Sequence, residues 1–175
     1  LAALIASGQV TKIICSYPRS AGSVVFPDLF QAGKIDLEVV PQGTLAERLR
    51  AAGAGIPAFF TPTSVGTPLA KGKEVREFNG KLCVMEHSLP ADIALVKADL
   101  ADIHGNLTYN MTARNFAPVM CMASKITIVQ AREVVNPGDI NPEHVITPGI
   151  FVDRVVHIPH PEHENDLLQA NRVYP

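Results

Sequence analysis

The chain has 175 residues, of which 47% are apolar and 18% are charged, and its formal net charge is −2. This length suffices for one domain with a buried core, and the apolar content excludes a disordered chain. No run of basic residues could follow a phosphate backbone, so we expect no nucleic acid partner. Glycine, proline or polar residues interrupt the uncharged stretches before they reach a membrane-spanning length, and we expect a cytoplasmic protein with no membrane partner.

The first half of the chain alternates short strands with helices. LAALIASG is a helical pattern that starts at Leu1 without a capping residue, so we expect further residues upstream in the natural protein. Thr11–Tyr17 is β-branched and predicts a strand, a short helix follows up to Gly33, and a second strand ends at Pro41. IPAFF predicts a third strand. Such strand–helix–strand units predict an α/β fold with a mainly parallel sheet flanked by helices.

The helix between the second and third strands carries recognisable end signals. Thr44 is predicted to cap its start, because Glu47 follows at the spacing of a capping box. Gly53 is predicted to end the helix in the left-handed conformation.

The second half begins with a loop rich in threonine, proline and glycine at residues 61–73. Two alternating runs joined by Asn79-Gly80 then predict a β-hairpin. LPADIALVKA predicts a strand, Asp99–Asn110 a polar loop, FAPVMCMAS a helix and KITIVQA a further strand. We expect one domain over residues 1–158 and a polar C-terminal tail over residues 159–175.

The three cysteines are an odd number and lie far apart in apolar runs: Cys15, Cys83 and Cys121. This pattern favours buried free thiols over disulfides or a metal site.

Six strings occur in one order along the chain: VVPQGTLAERLRAAGAGIPAFFTPT, SVGTPLAKGKE, ADIALVKA, GNLTY, ARNFAPVM and VITPGIFVDRVVH. Together they resemble the α subunit of the 3-oxoacid and 3-oxoadipate CoA-transferases, nearly without gaps from Leu1 to about His157. Several ordered strings are more specific than a single motif. The resemblance implies a CoA-transferase fold with a sheet like that of the sugar-phosphate isomerases, with the hairpin as an insertion.

The resemblance also implies a partner and a reaction. In this family, the α subunit pairs with a β subunit of related fold, and we expect an α2β2 assembly. A glutamate of the β subunit reacts with the acyl-CoA and gives an acyl anhydride and then a glutamyl–CoA thioester, which splits one difficult exchange into two steps. The implied donor is succinyl-CoA, and the implied acceptor is 3-oxoadipate, ahead of acetoacetate. No cofactor is expected beyond the CoA esters that serve as substrates.

The family's nucleophile lies in a Glu-Asn-Gly motif of the β subunit. This chain has nine glutamates, and none precedes Asn-Gly directly. Glu77 comes nearest, but the string that follows it fits a hairpin turn better. We therefore expect no catalytic nucleophile in this chain. The family's Asn-rich loop and glycine-rich turn are expected upstream of Leu1.

Gln42 and Gly43 are the leading site candidates, since they lie where a strand ends and a helix begins. Ligands of open α/β sheets collect at the carboxyl ends of the strands. The resemblance places Gln42 beside the active carboxylate, where its amide would orient an oxygen. Gly43 would allow close approach of the backbone or present an N–H at the helix start. The alternative for Gln42 is an ordinary polar residue at a strand end.

Arg19 is the candidate for substrate selection. The ketone-body branch of the family tends to read Ser-Tyr-Val-Gly-Glu-Asn here, whereas the 3-oxoadipate branch resembles Ser-Phe-Pro-Arg, and this chain has Tyr17-Pro18-Arg19. Since arginine binds carboxylates through two hydrogen bonds, Arg19 would read the distal carboxylate of a dicarboxylate acceptor. The alternative is a surface arginine on a loop.

Four further residues are candidates for substrate binding. Thr61 and Gly66 belong to the loop after the third strand, which would line the site or contact the partner, or serve only as scaffold. Asn106 and Asn115 match family positions, and the alternative is that their amides satisfy backbone groups within a loop.

Two other readings of the chain are a metal site and a different class of protein. His157, His160 and His163 recur at intervals of three, but the intervening prolines break any helix that would align them, and we expect no metal. The rival to an enzyme subunit is a non-catalytic ligand-binding or regulatory domain on the same fold. A helix-turn-helix or a basic patch would favour that rival, and the sequence shows neither.

Overall fold

The structure is a computed structural model that describes residues 2–18 and 25–160. Its helices and strands, in chain order, are α1 Ala2–Ala6, β1 Lys12–Cys15, α2 Val25–Gln31, β2 Asp36–Val39, α3 Gln42–Gly53, β3 Ala58–Thr61, β4 Val75–Phe78, β5 Lys81–His87, β6 Ala91–Asp102, β7 Leu107–Thr108, α4 Ala117–Ala123, β8 Ser124–Val135 and β9 Arg154–His157. This mixed order of helices and strands confirms the predicted α/β class. Arg19, His163 and most of the predicted tail lie outside the described residues.

The chain divides into two compact units. The first contains the described residues up to 45 and residues 62–84, and the second contains residues 46–61 and 85–160. Helix α3 and strand β5 contribute residues to both units. No helix within the described ranges is long and apolar enough to cross a membrane.

In the first unit, β1 and β2 run parallel, in register from Lys12 beside Asp36 to Cys15 beside Val39. The two strands therefore end side by side. The N–H of Val40 extends the pairing by donating to Cys15 O at 3.0 Å.

The predicted hairpin is confirmed. Strands β4 and β5 pair antiparallel, with Phe78 opposite Lys81, and only Asn79 and Gly80 lie between them. Both turn residues have positive φ, 50° and 75°, as the common two-residue hairpin turn requires. Strand β5 is the middle strand of a sheet in the order β3–β5–β4.

The second unit contains a four-stranded sheet in the order β7–β6–β8–β9. Strands β6, β8 and β9 are parallel, so the prediction of a mainly parallel sheet is confirmed there. The core consists of small and medium apolar side chains from β6, β7, β8 and α4: Ala94, Val96, Ala101, Leu107, Ala117, Cys121, Val129 and Ala131. Full burial of a valine or leucine contributes about 1.5–3 kcal/mol, so this sheet and helix stabilise each other.

The predicted polar loop at Asp99–Asn110 is wrong over half of its length. Strand β6 continues to Asp102, and Leu107 in β7 pairs with Ala101 and is fully buried. The strand tolerates its polar residues because they have partners, as Asp99 does in the carboxylate–guanidinium pair with Arg132 at 2.8 Å.

The predicted start of α3 is also wrong. The helix begins at Gln42, and Pro41 O accepts the first helical bond, from the N–H of Leu45 at 2.9 Å. Thr44 is therefore a buried residue of the first turn and not the cap. Glu47 does not close a capping box but binds Arg50 at 2.6 Å, one turn further on. That hydrogen bond lowers the pKa of Glu47.

The left-handed residue at the end of α3 is Gly55, with φ 70°, and not Gly53. The N–H of Ile56 donates to Ala51 O at 2.8 Å and the N–H of Gly55 to Ala52 O at 3.1 Å, which is the Schellman pattern. A glycine is needed at position 53 for a different reason. A Cβ at this position would lie 2.5 Å from Met122 Cβ and 3.0 Å from the Met122 backbone, so close packing of α3 against α4 excludes a side chain.

The predicted free thiols are confirmed. Cys83 and Cys121 are buried, Cys15 is half-buried, and all three are free.

Two glycines of α3 form a matched pair for a stability test. Gly53→Ala should lower the free energy of unfolding by about 1–3 kcal/mol, because the added methyl group overpacks the contact with Met122. Gly43→Ala should leave it unchanged or raise it by up to about 1 kcal/mol, because a Cβ there meets nothing within 4 Å and alanine favours helix. Urea denaturation of both variants checks this, and equal effects would contradict it.

Candidate functional site

The carboxyl ends of β1 and β2 carry the first candidate site. Cys15 and Val39 end the two parallel strands next to each other, and the chain then enters α3 at Gln42. Gln42 is the first residue of α3, shortly after β2 ends at Val39, and it is exposed. Its role in substrate binding stays a prediction.

The start of α3 is suited to anions. The first N–H groups of a helix lack acceptors within the helix and form its positive end, and α3 is 12 residues long. Gly43 is exposed, and the space around its missing Cβ is empty. Backbone N–H groups and the Gln42 amide can therefore reach a carboxylate or carbonyl oxygen here.

The candidates after β3 lie in tight local structure. Thr61 is the last residue of β3 and is half-buried. Gly66 has φ 75° in a turn that is closed by the N–H of Thr67 donating to Ser64 O at 3.0 Å. This conformation alone accounts for the glycine, and substrate contact by Thr61 and Gly66 stays a prediction.

Asn106 lies in the turn after β6, where Asp102 is the central acceptor. Asp102 Oδ1 accepts the N–H groups of His104 and Asn106, both at 2.9 Å, and Oδ2 accepts Asn106 Nδ2 at 2.7 Å. Asn106 Oδ1 accepts the N–H of Gly149 at 3.0 Å. The nitrogen and the oxygen of the Asn106 side chain are therefore both hydrogen-bonded within these loops. This favours the alternative that Asn106 stabilises the loop and does not bind substrate.

The same hydrogen bonds set the ionisation of Asp102, which is 4% exposed. Burial by itself would raise the pKa of this carboxyl group, but the bonds from Asn106 and from the backbone N–H of His104 outweigh it and lower the pKa. Asp102 is thus held as a carboxylate.

Two glycines bring the loop after β6 against the loop before β9. A Cβ at Gly105 would lie 2.9 Å from Val152 Cβ, and a Cβ at Gly149 would collide with His104 O. Leu107 N–H donates to Thr147 O at 2.9 Å in the same region. These contacts join residues of the string GNLTY to residues of the string VITPGIFVDRVVH, so the two strings form one structural feature. Asp102 was not predicted from the sequence, although a strand that ends in Asp and is followed by Gly-Asn is a signal for such a turn.

A buried polar group lies behind this turn. Tyr109 OH and Thr147 Oγ1 are 2.7 Å apart. Burial raises the pKa of Tyr109 to about 12 and that of the Cys121 thiol to about 11. Neither side chain ionises at neutral pH, so Cys121 does not offer a reactive thiolate.

Asn115 follows a 3₁₀ turn at Met111–Arg114 and has φ 36° and ψ −126°, which is strained for a residue with a side chain. Met111 also has positive φ, 50°, and is 88% exposed. Strained backbone of this kind concentrates at functional sites. The binding role of Asn115 stays a prediction.

His157 ends β9, and His160 is exposed just beyond it. Within residues 2–18 and 25–160, no group of three or more His, Cys, Asp or Glu side chains is placed to hold a metal ion.

The chain is similar in sequence to known proteins. A family model described as coenzyme A transferase matches residues 1–157. The chain is 59% identical over 156 residues to the α (A-type) subunit of 3-oxoadipate CoA-transferase of Pseudomonas putida, covering 89% of this chain and 68% of that protein. It is 49% identical over 156 residues to the corresponding subunit of a probable succinyl-CoA:3-ketoacid coenzyme A transferase of Bacillus subtilis, covering 89% and 65%. The chain thus spans about two thirds of the length of these relatives.

Solved structures show the same fold. An acyl-CoA transferase of Escherichia coli O157:H7 matches with a TM-score of 0.71 and 27% identity, over 83% of this chain and 32% of that one. Glutaconate coenzyme A-transferase of Acidaminococcus fermentans matches with a TM-score of 0.79 over 90% of this chain and 58% of that one. Its identity of 23% supports a common fold alone.

Asp102→Asn tests the turn after β6. At pH 7 the free energy of unfolding of the variant should be about 1–3 kcal/mol lower than that of the wild type, because an amide cannot accept all three N–H groups. The folded-state pKa lies below the unfolded value of about 3.9, so this contribution is present above about pH 4 and is lost as the pH falls further.

The stability difference between the wild type and Asp102→Asn should therefore narrow below pH 4 in urea titrations. The exposed Asp36, changed to Asn, is the control and should show a small difference at every pH. If the stability difference between the wild type and Asp102→Asn stays constant down to pH 2, the carboxylate of Asp102 is not the group whose ionisation stabilises the turn.

Proposed function

This chain belongs to the coenzyme A transferase family, and we propose that it is the α subunit of a heteromeric enzyme that moves CoA from succinyl-CoA to a 3-oxoacid. This membership confirms the resemblance drawn from the sequence. The proposed acceptor is 3-oxoadipate, ahead of acetoacetate. The observation that carries the proposal is the 59% identity to the α subunit of a 3-oxoadipate CoA-transferase over most of this chain.

In the proposed division of roles, this chain binds and polarises the substrate. The positive end of α3 and the exposed Gln42 amide are donors, and they would hold a carboxylate or thioester oxygen in a defined orientation. A glutamate of the β subunit would form the anhydride and the thioester. The α2β2 assembly and the soluble, cytoplasmic setting are parts of the same proposal.

The proposal is tested with the full natural polypeptide, co-expressed with a β subunit that carries a Glu-Asn-Gly motif. The pair should transfer CoA from succinyl-CoA to 3-oxoadipate, and borohydride should inactivate it only in the presence of the acyl-CoA, because borohydride reduces a glutamyl thioester. Robust transfer by this polypeptide alone would overturn the proposed division of roles.

Gln42→Ala in the assembled enzyme should lower kcat by about 10- to 100-fold, because one donor that orients the reacting oxygen is lost. Gln31→Ala removes another exposed glutamine, at the end of α2, and should leave kcat unchanged. Steady-state kinetics with both variants decides this. If Gln42→Ala assembles normally and keeps its kcat, Gln42 has no role in orienting the substrate.

Arg19→Ala should reduce kcat/KM for 3-oxoadipate by about 10- to 100-fold, because the distal carboxylate loses a bidentate partner. Acetoacetate lacks that carboxylate, so kcat/KM for acetoacetate should change by less than about twofold. Both acceptors are measured on the same enzyme preparation, so damage to the assembly lowers both rates together. Equal losses would exclude Arg19 as the reader of the second carboxylate.

A further inference from the structure

A pocket of about 430 Å³ opens in the second unit, at the carboxyl ends of β6 and β8 and beside the start of β9. Its walls are the turn after β6, the end of β8 and the start of β9 with the residues before it. The volume lies in the usual range for small-molecule sites, and strand carboxyl ends are where ligands of α/β sheets collect. This pocket was not predicted from the sequence.

Part of the lining is apolar. Val134, Val152 and Val155 line the pocket and also pack against the hydrophobic core of the second unit. Ile103 adds a further apolar side chain at the turn. Because the valines are supported by the core, this part of the pocket is a fixed surface for a short hydrocarbon chain.

The polar lining is rich in hydrogen-bond donors. Arg154, His104 and His157 all line the pocket. Within residues 2–18 and 25–160, Arg154 forms no ion pair, whereas Lys12, Arg132 and others are paired with carboxylates. A guanidinium group has five N–H donors and no acceptor, and a neutral imidazole still offers one N–H.

The two nearby carboxylates each accept hydrogen bonds from the backbone. Asp153 lines the pocket, but its Oδ2 accepts the N–H of Thr127 at 2.7 Å. Asp102 lies under the turn and accepts three N–H groups of its own loop. The donors of Arg154, His104 and His157 thus outnumber the carboxylate oxygen of the lining that has no bond of its own, Asp153 Oδ1, and a ligand that brings further oxygen acceptors would complement them.

We infer that this pocket binds a small organic acid, with its carboxylate at Arg154 and the two histidines and its hydrocarbon chain against the valines. A carboxylate fits the planar guanidinium through paired hydrogen bonds. The valine walls distinguish such an acid from an inorganic anion. The inference does not rest on CoA transfer, because binding can be measured without acyl-CoA or a β subunit.

Three ligands separate the contributions of charge and hydrocarbon: pentanoate has both, inorganic phosphate has charge alone, and pentanol has hydrocarbon alone. Each is titrated into the ¹⁵N-labelled full polypeptide, and backbone amide shifts are followed by NMR. Pentanoate should shift the amides of Gly105, Val134 and Val155 in a saturable manner. Phosphate and pentanol should shift the same amides at least about tenfold more weakly, since each lacks one half of the interaction.

Arg154→Gln and His157→Gln should each weaken pentanoate binding, the former by about tenfold or more, because the charge-assisted pair is lost. Arg132→Gln and His144→Gln remove an exposed arginine and an exposed histidine outside the pocket and should leave the affinity unchanged. The NMR spectrum of each variant shows whether the fold is retained. Pentanoate shifts that are absent or map elsewhere, phosphate binding of equal strength, or equal losses in the control variants would each overturn the inference.

Discussion

The carboxylate of Asp102 holds the carboxyl end of the second unit's sheet in place. It accepts three N–H groups of its own turn, and through Asn106 the turn is tied to Gly149 in the loop before β9. A buried charge is tolerated only when its hydrogen bonds are satisfied, so the turn and the carboxylate stabilise each other. Strand β7 follows this turn and the turn forms one wall of the pocket, so the positions of both depend on this interaction.

Each unit has parallel strands that end together, and each uses the resulting edge differently. In the first unit the edge leads into α3, which offers a helix start, an exposed glycine and an exposed amide. In the second unit the edge is lined by side chains, among them core-supported valines and Arg154. Both edges are rich in hydrogen-bond donors and suited to ligands that bring oxygen acceptors.

Local signals in the sequence predicted the features that local physics determines. Asn79-Gly80 specifies a tight hairpin wherever it joins two strands, and the structure has it. Gly53 shows where such reasoning fails, because its cause is the backbone of Met122 in helix α4 and not the conformation of its own helix. Asp102 was missed for a related reason: its polarity indicates a loop, and only the hydrogen bonds of the folded turn allow it to end a buried strand.

The sequence predicted a candidate site only where the position of the site follows from the end of a strand. The position of Gln42 follows from the order of strand and helix, whereas the pocket around Arg154 depends on two loops that meet only in the folded chain. The chemistry of both places points the same way. Burial keeps Cys121 and Tyr109 protonated, and the hydrogen-bond donors at the strand ends are amides, backbone N–H groups and cations. Such groups position and polarise an oxygen but form no covalent bond to an acyl carbon. In the proposed function, the nucleophile of the covalent exchange comes from the β subunit, and these groups position the oxygen that it attacks or releases.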